Sequence, residues 1–523
     1  MSGHNGPDSF VSLYSWQQEC LKAWDKNDRR GIVHVATGAG KTVMALEAIR
    51  RFRLEHGNAR VRIVVPTIAL AQQWQSSLLK TAESGMDCPG FFGGGKREDF
   101  NRPIMIYVIN SARDHLTDHM ERSFSLGQPS LLICDECHHY QSKENRKIFD
   151  YCLPSFYRKE DFACLGLSAT PFGTANDEVL IRALGPEIYS YGFEKAAADG
   201  IVSPFTVLQT ASAFYPDERQ RYEEISQELI ILWSRLIKKY PWLKEIKGNT
   251  FFRELKRLAG EAEMNPSDPA VAFLLKTWER KEVSNQARTR LQCALGILQS
   301  LPVGTRTIIF CERISQAEDM LTLLRRTAVS SGVIYHSKMN TEARRRSLEA
   351  FRWKQAYVLI ACRALDEGID VPDAEVAIVL SSTSVTRQRI QRLGRILRKA
   401  PGKTAACLYY IYLPESTDDR VYLPGFSDVP CASLRYDPED KSFSSELYEY
   451  AARKVLEEEK DLNEAQRQEL RRCLLEGLPR ADYLLGRDEL QRKKGDSIHD
   501  RNYWKAMRRI NRLFIDKPAG DAV

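Results

Sequence analysis

Short apolar and β-branched runs alternate with helical stretches through the first two hundred residues, at Ile32–Ala36, Val61–Val65, Ile104–Ile109, Leu131–Cys134 and Cys164–Leu167. Strands that alternate with helices in this way predict a parallel sheet covered by helices. A second series follows at Arg306–Phe310, Gly332–Tyr335, Tyr357–Ala361, Val376–Leu380 and Ala406–Ile411. The fold class is therefore α/β, with two parallel-sheet domains in tandem. Between them Tyr222, Ile225, Leu229, Leu232, Trp233, Leu236 and Ile237 recur at helical spacing, which predicts a helical insert whose stripe is core. After Pro414 a loop rich in Pro, Asp and Ser leads to a charged helix from about Ser444 to Leu475, with Ser444 or Ser445 as N-cap, and then to a basic helical tail over Arg480–Phe514. The expected divisions are 1–207, 208–285, 286–415 and 416–523. No repeat or low-complexity tract interrupts them.

Composition narrows the class. At 523 residues, 43% hydrophobic and 28% charged, the chain can build several cores. No apolar run approaches the roughly 18–20 residues that cross a bilayer, and the opening MSGHNGPDSF lacks the parts of a secretory signal. A cytoplasmic location without a membrane partner is expected. The twelve cysteines are scattered, several of them inside apolar runs, which suits reduced thiols and no disulfide framework. Cys134-Asp135-Glu136-Cys137-His138 matches a C-x-x-C-H spacing, but no second cysteine pair accompanies it. The net charge of +7 says little alone; residues 480–515, however, hold ten Lys or Arg against five Asp or Glu. That stretch is either a solvated helical face or a phosphate-contacting surface for nucleic acid, and a protein partner is expected through the insert or the C-terminal extension.

Ala36-Thr37-Gly38-Ala39-Gly40-Lys41-Thr42 stands after a strand and before a helix expected to start at Val43, the context of a phosphate loop. Gly38 and Gly40 let the backbone N–H groups turn toward phosphates, Lys41 reaches the β and γ phosphates, and the Thr42 hydroxyl ligates Mg²⁺. Val35 occupies the place of the pattern's first glycine. Leu131–Cys134 is a buried strand ending at Asp135-Glu136, where Asp135 can hold Mg²⁺ and Glu136 can act as general base toward water. ATP and Mg²⁺ are the expected cofactors, and hydrolysis the expected chemistry.

Asp135-Glu136-Cys137-His138 resembles the DExH box of superfamily 2 helicases, and Ser168-Ala169-Thr170-Pro171 resembles their third motif. Leu13-Tyr14-Ser15-Trp16-Gln17 is similar to the adenine-reading segment, with Gln17 as the base-specific amide. Val64-Val65-Pro66-Thr67 and Asn110-Ser111 fall where, by that resemblance, the family's first lobe grips the strand backbone. In the second half, Ile308–Glu312, Ala361–Pro372 and Gln391–Arg398 resemble motifs four, five and six. The resemblance covers roughly residues 10–207 and 286–415 and is nearest to the branch with XPB-type helicases and restriction-enzyme motor subunits.

That resemblance implies two RecA-like lobes, with the helical insert and extension added. It makes Arg395 and Arg398 the arginine fingers, Gly368 and Asp370 nucleotide contacts, Ser168, Thr170 and Gln391 coupling residues, and Thr67, Asn110, Ser111 and Arg363 nucleic-acid contacts. A fixed guanidinium suits the charge that develops on a transferring phosphoryl group. Since Arg395 and Arg398 lie some 350 residues from Lys41 in sequence, hydrolysis is expected to need lobe closure. DNA is favoured over RNA by the same resemblance. The implied activity is ATP-driven movement along DNA or its unwinding. An ATP-gated binding or remodelling subunit of a defence, restriction or repair complex uses the same motifs and stays open.

Overall fold

A computed structural model of the chain describes residues 12–82, 88–152, 158–169, 171–172, 177–203, 205–362, 374–381, 406–414, 416–417, 430–459 and 461–515. The described residues up to 203 form one compact unit, and those from 205 onward form a second.

The first unit runs α1 (Ser15–Lys26), β1 (Arg30–Val35), α2 (Lys41–Glu55), β2 (Arg60–Val65), α3 (Ile68–Ala82), β3 (Gly90–Gly93), β4 (Lys96–Arg97), β5 (Ile104–Val108), α4 (Ile109–Ser125), β6 (Ser130–Asp135), β7 (Phe162–Ser168), α5 (Asp177–Leu184), β8 (Glu187–Tyr191) and α6 (Phe193–Ala198). Its sheet has the order β4-β3-β5-β2-β6-β7-β1-β8 and is parallel except for the β3–β4 hairpin. Every residue of β5, β6 and β7 is buried. Helices cover both faces of such strands, so they need no polar alternation, and this is why they read as unbroken apolar runs.

The second unit runs β9 (Phe205–Ser212), α7 (Pro216–Lys239), α8 (Gly248–Glu261), α9 (Pro269–Asn285), α10 (Arg288–Ser300), β10 (Thr307–Cys311), α11 (Ile314–Thr327), β11 (Gly332–His336), α12 (Thr341–Arg352), β12 (Val358–Cys362), β13 (Val376–Val379), β14 (Ala406–Tyr412), β15 (Cys431–Asp437), β16 (Ser442–Ser444), α13 (Glu446–Glu458), α14 (Glu464–Arg480), α15 (Arg487–Arg492) and α16 (Ile498–Ile515). Its sheet order is β11-β12-β10-β13-β14-β9-β15-β16, with only β15–β16 antiparallel. Helices α7 to α9 form the insert around Leu236, Leu243, Leu255, Leu258, Val271 and Leu274. Pro216 and Pro269 open α7 and α9 at positions where no N–H is needed, and Asp268 Oδ1 accepts from Ala270 N at 2.8 Å.

Two features differ from the sequence expectation. The boundary expected at 207/208 falls inside β9, whose backbone pairs with β14 and β15 and so belongs to the second sheet. The region after 416 is also more than a helical extension. Strands β15 and β16 complete the second sheet, and Tyr448, Cys473, Leu474, Tyr483, Leu490, Tyr503, Met507 and Ile510 are buried in the same core as Ile309, Ile360 and Tyr409. Ser445 is the N-cap of α13. The single charged helix expected over 444–475 breaks before Asn463, which caps α14 by accepting from Gln466 N at 2.9 Å. Among the described residues no helix is long and apolar enough to cross a membrane.

Candidate active site

The phosphate loop joins β1 to α2 at the carboxyl end of the first sheet, where ligands of open parallel sheets bind. Gly38 and Gly40 adopt φ of 85° and 97°, a region that side chains resist, and a Cβ on Gly40 would meet Gln17 Nε2 at 2.9 Å. Gly40 is also the N-cap of α2, which begins at Lys41, two residues before the expected Val43. Unpaired N–H groups at this helix start attract anions. Val35 is the buried last residue of β1, and its carbonyl accepts from Lys41 Nζ at 3.1 Å. The residue that departs from the glycine pattern thus holds the lysine through its backbone, which any residue type can do.

Gln17 is buried on α1. Its Oε1 accepts from Tyr14 N at 2.9 Å, and its Nε2 donates to Gly40 O at 3.0 Å. An amide has a second N–H and a second lone pair, so capacity remains for a base edge. The residues fit a nucleoside triphosphate: the loop glycines leave room for phosphates, and the buried Thr37 Oγ1 has no hydrogen-bond partner among the described residues.

Asp135 ends β6, two strands from β1 in the sheet, with β7 between them. It is buried; its Oδ2 accepts from Trp74 Nε1 at 2.7 Å and its Oδ1 accepts from Glu136 N at 3.0 Å. Burial, followed by the neighbouring Glu136 charge, raises the Asp135 carboxyl above the usual carboxylate range, while Trp74 and Lys41 oppose the rise. A divalent cation beside Asp135 and Thr42, which lies in the first turn of α2, would compensate that buried charge. Glu136 leaves the strand in the left-handed region at φ 47° and ψ 49°. This costs a non-glycine residue about 1–3 kcal/mol and persists where surrounding structure imposes it.

That surrounding structure is visible. Tyr140 Oη donates to Asp135 O at 2.7 Å and also approaches Val64 O at 2.9 Å, which ties the turn after β6 to β2. His138 Nδ1 lies 2.8 Å from Ser168 Oγ at the end of β7 and 3.5 Å from Glu136 Oε2. The His138 imidazole thus stands between Ser168 and the Glu136 carboxylate, both of which face its Nδ1. Sequence reasoning missed Trp74, Tyr140 and the linking role of His138. A tryptophan within an amphipathic helix carries no local sign that its N–H ends on a carboxylate 61 residues away.

Thr67 follows β2, and Asn110 and Ser111 open α4 after β5; β2 and β5 are adjacent, so the three share the carboxyl edge of the sheet. Thr67 Oγ1 caps α3 by accepting from Leu70 N at 3.3 Å, and Asn110 is exposed. Thr170, Arg363, Gly368, Asp370, Gln391, Arg395 and Arg398 lie outside the described residues. Cys134 and Cys137 are buried in the first unit's core. They form no metal-sized cluster with His138 among the described residues.

Residues 10–173 match the family model described as "Type III restriction enzyme, res subunit", and residues 289–400 match the "Helicase conserved C-terminal domain". The chain is 31% identical over 393 residues to the DNA 3'-5' translocase XPB2 of Sulfurisphaera tokodaii, covering 74% of this chain and 79% of that protein. It is 23% identical over 417 residues to the DNA 3'-5' helicase XPB of Kineococcus radiotolerans, of whose length it spans 61%. Its fold is similar to that of the helicase domain of Hef from Pyrococcus furiosus, with a TM-score of 0.50 and 14% identity over 78% of this chain and 97% of that one. Dbp5 of S. cerevisiae, solved with RNA and ADP BeF3, gives a TM-score of 0.51 at 14% identity over 82% and 90%.

Proposed function

Because the chain belongs to the XPB-type family of superfamily 2 helicases and translocases, we propose that it hydrolyses ATP to move along DNA in the 3'-to-5' sense that both relatives' names state. The observation that carries this reading is the Asp135-Glu136 pair at the end of β6, set at the same sheet edge as Lys41 and the loop glycines. Backbone N–H groups at the start of α2 and Lys41 bind the β and γ phosphates. Thr42 and Asp135 would hold Mg²⁺, which supplies charge neutralisation on those phosphates. Glu136 takes the proton of the attacking water. Gln17 reads the adenine, while Arg395 and Arg398 are assigned to the γ-phosphate by their motif. Gly368 and Asp370 contact the nucleotide, and Gln391 and Thr170 act with Ser168 in coupling. Thr67, Asn110, Ser111 and Arg363 hold the strand through phosphate and sugar, contacts that carry little base information and weaken with salt.

ATP turnover measured with single-stranded DNA, duplex DNA and RNA tests the reading. DNA is expected to stimulate turnover more than RNA, with many ATP molecules consumed per binding event. Turnover indifferent to nucleic acid would remove the motor assignment, and one ATP per binding event would favour a gated binding subunit instead.

Trp74→Phe is a finer probe. Phenylalanine keeps most of the apolar contact of α3 but removes the N–H that holds Asp135. A hydrogen bond to a charged group is worth about 1.5–3 kcal/mol, roughly a ten- to hundred-fold effect. The Mg²⁺ concentration needed for half-maximal turnover is expected to rise within that range. An unchanged Mg²⁺ requirement would show that Asp135 is placed without Trp74.

A further inference from the structure

The C-terminal helices contain a second set of chemistry-bearing side chains, on the unit that lacks the phosphate loop. Glu469 and Cys473 lie one turn apart on α14, and His499 stands in the first turn of α16. His499 Nδ1 is 2.5 Å from Glu469 Oε1 and 3.9 Å from Cys473 Sγ, and Cys473 Sγ is 3.9 Å from Glu469 Oε1. A tetrahedral zinc ion with Zn–S of about 2.3 Å and Zn–N or Zn–O of about 2.0–2.2 Å sets its ligand atoms roughly 3.2–3.6 Å apart. The trio departs from that spacing by less than 1 Å on each side, so binding needs Glu469 to swing away from the imidazole and Cys473 to approach it. Among the described residues no other group of His, Cys, Asp and Glu donors is this compact.

The far side of the imidazole gives an independent reason. His499 Nε2 lies 3.1 Å from Glu476 Oε2, and Glu476 is itself held by Arg472 at 3.1 Å and Arg480 at 3.3 Å. Metal-bound histidines characteristically donate their other ring N–H to a carboxylate, which fixes the tautomer and orients the ring. Here that partner is present and braced, and it leaves Nδ1 facing the thiol and Glu469. The Cys473 side chain is buried, whereas those of Glu469 and His499 are 29% and 27% exposed, so a hydrated cation can enter from the solvent side.

We propose that Glu469, Cys473 and His499 bind one zinc-class divalent ion, with a water as fourth ligand, and that the ion pins α16 to α14. Both ring nitrogens of His499 face carboxylates, so binding exchanges the Nδ1–H bond as well as the Cys473 S–H bond for bonds to the metal and releases two protons to solvent. No electron is transferred.

Cobalt(II) is the probe, added to the nucleotide-free protein carrying Cys88→Ser and Cys431→Ser, which removes the exposed thiols among the described residues. The expected result is one cobalt per chain, with a thiolate-to-cobalt charge-transfer band and ligand-field bands of four-coordinate cobalt. Zinc should displace the cobalt and raise the melting temperature, and a chelator should reverse both. Cys473→Ser should abolish the charge-transfer band, while Glu476→Ala should weaken binding about 10- to 100-fold. His499→Gln, at a partly exposed position, is the second ligand variant should Cys473→Ser lose its fold. Absence of the band, or a band that survives either ligand variant, would overturn the proposal and leave the cluster as a histidine clasped by two carboxylates.

Discussion

Replacing Glu136 by Gln is expected to lower ATP turnover about a hundred- to ten-thousand-fold, the contribution of a positioned general base, while nucleotide binding is retained. The amide has the shape of the carboxylate and cannot accept the water's proton at neutral pH. The phosphate-binding parts, Lys41 and the loop of Gly38 and Gly40, lie on a different strand–helix junction and are untouched. The left-handed backbone at residue 136 is imposed by the turn that Tyr140 anchors, so the substituted side chain should keep its place. Turnover and binding of a fluorescent ATP analogue, measured side by side, check this. Turnover within a factor of a few of the wild type would take Glu136 out of the chemistry, and loss of binding as well would assign it a structural role.

The same residues show what a sequence can reveal about such a site. Lys41 stands out by the glycine loop before it, between an apolar strand and a helix, and Asp135-Glu136 by its place at the end of an apolar strand, because strand ends are legible. The central strands of both sheets were visible for a related reason: buried on both faces, they are apolar throughout. Two of the strands that escaped notice have mixed exposure. β8 has only one buried residue, and β15 alternates, with Leu434 and Tyr436 alone buried. β9, Phe-Thr-Val-Leu-Gln-Thr-Ala-Ser, is mostly buried but carries polar residues, and it follows the first sheet in sequence while pairing in the second. Nothing local encodes which sheet a strand joins. Contacts of His138 with Ser168, or of Trp74 with Asp135, depend on that pairing and were hidden with it.

The C-terminal stretch shows the opposite error, since its positive charge is plain in the sequence and drew attention from the apolar residues beneath it. Tyr503, Ala506, Met507 and Ile510 recur at helical spacing and are all buried, together with Tyr483 and Leu490. Several basic groups serve this packing. Arg480 Nε donates to Ser300 O at 2.6 Å, Arg508 donates to the carbonyls of Leu490 and Lys493, and Arg509 pairs with Glu459. Others, among them Arg492, Lys494, Lys505 and Arg512, remain exposed.

Deleting the chain after residue 479 is therefore expected to unfold the second unit rather than merely weaken nucleic-acid binding. Each fully buried large side chain contributes about 1.5–3 kcal/mol, so losing Tyr483, Leu490, Tyr503, Met507 and Ile510 together approaches or exceeds the roughly 5–15 kcal/mol that holds a domain folded. The deletion also strips cover from the buried Tyr448, Cys473 and Tyr409, which share one core with the lost residues. Aggregation, or loss of the second unit's cooperative melting transition, is the expected outcome. By contrast, a chain carrying Arg492→Gln, Lys494→Gln, Lys505→Gln and Arg512→Gln keeps every buried contact and should melt as the wild type does. Any DNA affinity it loses then reports phosphate contact, through a shallower dependence on salt. A soluble, cooperatively folded deletion would show that the sheet and α10 to α12 form a sufficient core without α15 and α16, and would return the extension to the role of an appended basic arm.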